Sequence, residues 1–121
     1  MSHLRWIAGA VLLVAAAAAP AQSFKCPAMQ GKNPLASVSI FDGPPAEKAD
    51  LVPDLTKGSG DHLYSSWDIG YLFGINRTPY LVCRYAGLPD EQAVTLKIDK
   101  KVAKCIFQAH ASGQPAEAEC K

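Results

Sequence analysis

Few side chains in this chain could do chemistry, and they fall into four groupings. Arg84 stands in Tyr80-Leu81-Val82-Cys83-Arg84-Tyr85, a β-branched and aromatic run. A guanidinium there needs a carboxylate or open water, because an unpaired buried charge is too costly. Asp42, Asp50 and Asp54 could supply the carboxylate. Such a pair could hold a ligand, or it could dock the Asp42–Asp54 segment onto the strand, and docking suffices to explain both residue types. His62 lies between Asp61 and Ser65/Ser66, the residue types of a Ser-His-Asp hydrolase. No Gly-x-Ser-x-Gly elbow accompanies them, and Gly58-Ser59-Gly60 is a poor platform for exact geometry. His62, His110, Asp61 and Glu117 are the available metal ligands. They lack H-x-x-x-H spacing, so neither a metal nor another cofactor is expected. The fourth grouping is aromatic: Tyr64, Trp67, Tyr71, Phe73, Tyr80 and Tyr85. Such rings suit either a recognition surface or the core of a small β domain. Trp67 is assigned to the core. Tyr71-Leu72-Phe73, between Gly70 and Gly74, is the expected exposed patch. Tyr71, Phe73 and Arg84 are therefore the candidate binding residues, and no catalytic residue is assigned.

Four cysteines, Cys26, Cys83, Cys105 and Cys120, constrain what positions these groups. An even count in a small exported chain reads as a disulfide framework. The favoured pairing is Cys83–Cys105 with Cys26–Cys120, which would staple the central strand and tie the termini. The rival is Cys105–Cys120, across a turn at Ser112-Gly113. It ranks second because a bridge directly across paired strands strains the preferred geometry.

The first residues set the compartment. Arg5 precedes an apolar run from Trp6 to Ala19, too short to span a bilayer, and Ala19-Pro20-Ala21 fits a small-x-small cleavage rule. Met1–Ala21 is therefore expected to be a signal peptide cut before Gln22, leaving one exported domain over Gln22–Lys121, periplasmic or secreted. After cleavage no stable membrane insertion is expected. Removing Arg5 from the 12 Lys+Arg leaves 11 against 11 Asp+Glu. That balance provides no field to draw nucleic acid.

The elements follow from alternation and turn residues. Pro79–Gly87 reads as the central strand, with Leu81, Cys83 and Tyr85 on one face and Tyr80, Val82 and Arg84 on the other. Leu35–Phe41, His62–Ile69, Ala93–Ile98, Cys105–Ala109 and Glu117–Cys120 read as further strands. Ala46–Leu51 reads as a short helix that must lie on the sheet. Tyr71-Leu72-Phe73 could extend the preceding strand past a bulge at Gly70. Lys97, Lys100, Lys101 and Lys104 mark a solvated edge that discourages strand pairing. The fold class is mainly β: a small antiparallel sheet or meander of five to six strands with one short helix, disulfide-stapled, with α+β as second choice and a signal helix in the precursor.

Phe41-Asp42-Gly43-Pro44-Pro45, Leu51-Val52-Pro53-Asp54, Trp67, Tyr80–Tyr85 and Val102 before Cys105 together resemble a family of small uncharacterised exported bacterial proteins filed under an enterobacterial locus tag. The resemblance implies export, the four-cysteine plan and a single domain, and carries no activity. One departure is Asp99-Lys100-Lys101, where the resemblance implies a Pro-Gly type turn. The functional expectation is a non-enzymatic binding module of the cell envelope, with a protein or glycan partner, in one version an enzyme inhibitor. A small hydrolase using His62 and a metal-binding protein are the alternatives.

Overall fold

The structure, a computed structural model, describes residues 23–121. The expected signal peptide, Met1–Ala21, lies outside the described residues. Among the described residues nine strands form two antiparallel sheets. In chain order they are β1 (Phe24–Lys25), β2 (Met29–Gln30), β3 (Asn33–Asp42), β4 (Leu55–Lys57), β5 (Tyr64–Asp68), β6 (Pro79–Tyr85), β7 (Val94–Lys97), β8 (Lys104–Gln108) and β9 (Glu117–Cys120). One sheet runs β1-β9-β8-β5-β4 and the other β2-β3-β6-β7. The mainly-β antiparallel class, with one short helix and two disulfides, is as expected. The strands divide over two sheets because β5 pairs with β8, not with the next strand in the chain.

The central strand is β6, as its composition predicts. It pairs with β3 from Ser37↔Arg84 to Asp42↔Pro79, and with β7 through Leu81↔Leu96 and Cys83↔Val94. Leu81, Cys83 and Tyr85 point inward and are buried. They share one core with Leu35 and Ile40 of β3, Trp67 of β5, Phe107 of β8 and Ala118 of β9. Period-two alternation on both sheets thus puts one apolar face of each against the other. Ile69, Leu72, Ile98 and Val102 belong to the same cluster.

The helix is not where the sequence pattern puts it. Pro45–Glu47 makes only a single 3-10 turn, ended by Lys48 at φ 59°. The residues beyond are drawn to the edge of β3 instead. Asp42 N–H donates to Ala49 O (2.9 Å), Leu51 N–H donates to Ile40 O (2.8 Å), and Phe41 faces Asp50 in a bridge. Those bonds use the backbone groups a helix over Ala46–Leu51 would need. The α-helix is α1, Gly70–Gly74. Ile69 and Gly70 N–H both donate to Ala103 O (3.1 Å each), which turns the chain off β5, and Leu72 plugs the core at 1% exposure.

The favoured disulfide pairing is corrected. The bridges are Cys26–Cys83 and Cys105–Cys120. Beyond the Ser112-Gly113 turn, β9 returns in register with β8, so Cys120 faces Cys105 directly. Cys26 is then left for Cys83. It lies where the chain passes from β1 in one sheet to β2 in the other, and its N–H donates to Ala118 O of β9 (3.0 Å). Cys26–Cys83 therefore joins the two sheets, and Cys105–Cys120 closes a hairpin within one.

Candidate binding surface

The acidic segment before β4 is held by an arginine, though not the one expected. Arg77, in the turn leading into β6, donates from Nε to Asp42 Oδ1 (2.6 Å) and from Nη2 to Asp42 O (2.9 Å) and Glu47 Oε1 (3.0 Å). The planar fork suits three acceptors at once. Hydrogen bonds and charge from Asp42 and then Glu47 push the Arg77 pKa up. Gly43 makes the clamp possible. Its φ is +95°, and a Cβ there would lie 2.3 Å from Arg77 Nη2.

Arg84 does not meet Asp42, Asp50 or Asp54, and that expectation is corrected. Its Nε donates to Asp90 Oδ1 (3.2 Å) and Nη1 to Ser39 Oγ (2.5 Å). Asp42 is already committed to Arg77, and the turn after β6 brings Asp90 back over the same face. Arg84 also lies five residues along β6 from Pro79, about 17 Å at strand rise, so it is not grouped with the residues of α1.

His62 ends a 3-10 turn, Gly60–His62, and is exposed. Its side chain makes no hydrogen bond to Ser65 or Ser66 among the described residues, and both serines are buried at 6% exposure. His110 Nε2 instead contacts Glu117 Oε2 at 2.8 Å across the β8–β9 hairpin. That hydrogen bond and the nearby histidine charge hold the Glu117 carboxyl below the usual range. Among the described residues, no three His, Cys, Asp or Glu side chains converge as a metal site.

Five large apolar side chains are exposed among the described residues: Met29 on β2, Val52 and Leu55 before and at the start of β4, and Tyr71 and Ile75 at α1. Tyr71 is 59% exposed and Ile75 61%. Tyr71 stands in the first turn of α1, and Ile75 is the residue that ends the helix. Phe73 is half-buried and packs against the core, and Leu72 anchors the helix. Trp67, buried at the end of β5, donates from Nε1 to Leu51 O (3.1 Å). Asp54 N–H donates to Ser66 O (2.8 Å), and its Oδ2 accepts from Asp68 N–H (2.6 Å). These bonds lay Leu51–Leu55 alongside the strand that runs into α1. Val52 (84% exposed) and Leu55 (43%) belong to that segment. Of the expected Tyr71-Leu72-Phe73 patch only Tyr71 is exposed, while Leu72 is buried and Phe73 packs half-buried against the core. Ile75, Val52 and Leu55 were not legible in the sequence, since single aliphatics beside turns carry no signal of exposure.

The Ser-His-Asp residue types around His62 thus do not come together among the described residues, and the exposed apolar side chains at α1 and before β4 are what the fold presents. No curated protein and no solved structure matches the chain. The family model of the type VI secretion system Tli immunity protein matches residues 30–121, a span that takes in every strand from β3 to β9, and the chain belongs to that family.

Proposed function

We propose that this chain is an exported, non-enzymatic immunity protein that neutralises a protein toxin by binding it, with the α1 shoulder at the contact. Membership in an immunity family supports inhibition by binding. The observation that carries the surface is α1 itself: Leu72 fixes it in the core while Tyr71 and Ile75 stand in solvent. Large apolar side chains on a rigid support make binding anchors, because little freedom remains to be lost on contact. Phe73 stiffens that support, and Val52 and Leu55 extend it. In this reading Arg84 positions Ser39 and Asp90. The proposed signal peptide, Met1–Ala21, supports export to the periplasm or beyond, and N-terminal sequencing of the exported protein should begin at Gln22.

The test is capture and rescue. Protein exported from the full precursor is immobilised, exposed to envelope extract, and compared with a Tyr71→Ala/Ile75→Ala variant. The unaltered protein should retain a toxin and protect cells that make it. The variant should melt with the unaltered protein, since both side chains are exposed, and should bind roughly 30-fold more weakly, the loss of about 2 kcal/mol at one anchor pair. A variant that protects as well as the unaltered protein refutes the shoulder as the contact.

A further inference from the structure

Beside the same Leu51–Leu55 segment lies a groove of about 260 Å³ between the two sheets. Val38 and the β3 backbone form one wall, Leu63, Trp67 and Phe107 the other, and Asp50 stands at the rim. Two features set this groove apart from ordinary surface relief. The first is a break in the pairing of β3. Toward its start, Leu35 O accepts from Ala116 N–H (2.9 Å), and toward its end, Ile40 O accepts from Leu51 N–H on the side away from β6. In an antiparallel ladder, residues two apart direct their backbone groups the same way. Val38 N–H and C=O therefore face away from β6 as Ile40 O does, and they meet no partner among the described residues. The second is Ser65, which lines the groove at 6% exposure and whose hydroxyl has no hydrogen-bond partner among the described residues. Buried polar groups are normally paired.

We infer that this window in β3 is where an extended segment of the partner toxin docks, adding one short strand to the edge at Ser37–Ser39. One residue of that segment exchanges two backbone hydrogen bonds with Val38, as in other strand additions. A neighbouring side chain enters the groove over Trp67 and Phe107. Its chemistry is an apolar body with one polar atom, threonine or tyrosine in type, that pairs with the Ser65 hydroxyl. Asp50 forms no ion pair among the described residues, and nor does Asp54 beside it in the chain, so a lysine or arginine at the mouth of the groove completes the match. This deepens the reading above and rests on it, because it names the partner's recognised feature as extended, mixed apolar and basic.

The test uses linear twelve-residue peptides selected from a random displayed library against the oxidised exported protein. Selected peptides should carry a basic residue near a threonine or tyrosine. Their binding should slow Val38 amide exchange by about tenfold or more, the effect of one new backbone hydrogen bond. Asp50→Lys, a change at an exposed site, should weaken the peptides several-fold without altering the melting temperature. Overturning results are selection of no peptide above background, or peptides that shift the Tyr71 and Ile75 amides and leave Val38 exchange unchanged. The same exchange measurement with bound toxin separates the two readings. A toxin that is bound and neutralised while Val38 still exchanges freely sinks the groove alone. Failure of the exported protein to retain or neutralise any toxin sinks the immunity reading, and the peptide arm then decides the groove by itself.

Discussion

Breaking Cys26–Cys83 should cost more than breaking Cys105–Cys120, and the difference can be worked from the loops they close. The first bridge joins residues 57 apart in sequence and the second joins residues 15 apart. The chain-entropy relation assigns about 4 kcal/mol to the longer loop and about 3 kcal/mol to the shorter. Removing the sulfurs adds a packing loss at both sites, since all four cysteines are at most 3% exposed. The longer bridge also joins the two sheets. Without it the passage from β1 to β2 is held to β6 by weaker contacts, among them Tyr85 Oη donating to Pro27 O (2.7 Å). A domain of this size has about 5–15 kcal/mol in total, so Cys26→Ala/Cys83→Ala should lose a large share of it. In equilibrium urea unfolding, an m-value of about 2 kcal/mol/M moves the midpoint down by about 2 M. The Cys105→Ala/Cys120→Ala variant should move it less, by about 1.5 M. Thiol labelling followed by peptide mapping tests the pairing itself: Cys83→Ala alone should expose the thiol of Cys26. Labelling at Cys105 instead would refute the pairing, and an unchanged urea midpoint in the first double variant would refute the account of its worth.

Further outcomes follow from the clamp and the hairpin. Gly43→Ala should destabilise the domain by about 1–3 kcal/mol, because it combines a positive φ with a collision at Arg77. Gly113→Ala, at φ +86° with nothing within 4 Å, should lose only about 1 kcal/mol by the same urea assay. Glu117 should titrate below the ordinary glutamate range by NMR, and His110→Ala should return it upward. A depressed folded-state value means that its stabilising contribution is present above the unfolded value and is lost as pH falls through the folded one. Glu117→Gln should therefore flatten the acid limb of the stability profile, and an unchanged limb would remove His110–Glu117 from the account.

Six of the nine strands in the described residues, β3 and β5 to β9, were legible in the sequence because alternation is a local property, whereas β1, β2 and β4, two or three residues long, are too short to show it. The span of β6, its inward set Leu81, Cys83 and Tyr85, and the core position of Trp67 all follow from period two and from flanking turn residues. The aromatic-glycine run pointed to Tyr71, which is exposed, while Leu72 of the same run plugs the core. What the tertiary structure alone decided is which groups meet. Ala49–Leu51 leave the helix expected over Ala46–Leu51 because the edge of β3 offers their backbone groups partners. Asp42 took Arg77, not Arg84, because Arg77 lies at the end of β6 where the acidic loop departs, and Arg84 lies near the other. Cysteine pairing waited on the register of β8 with β9, which no spacing of four cysteines encodes. The open window at Val38 is likewise invisible in the chain, since an unpaired strand edge is defined by the strand that does not come to cover it. Local periodicity specifies elements; long-range registers, each chosen by the burial of both faces at once, specify the site.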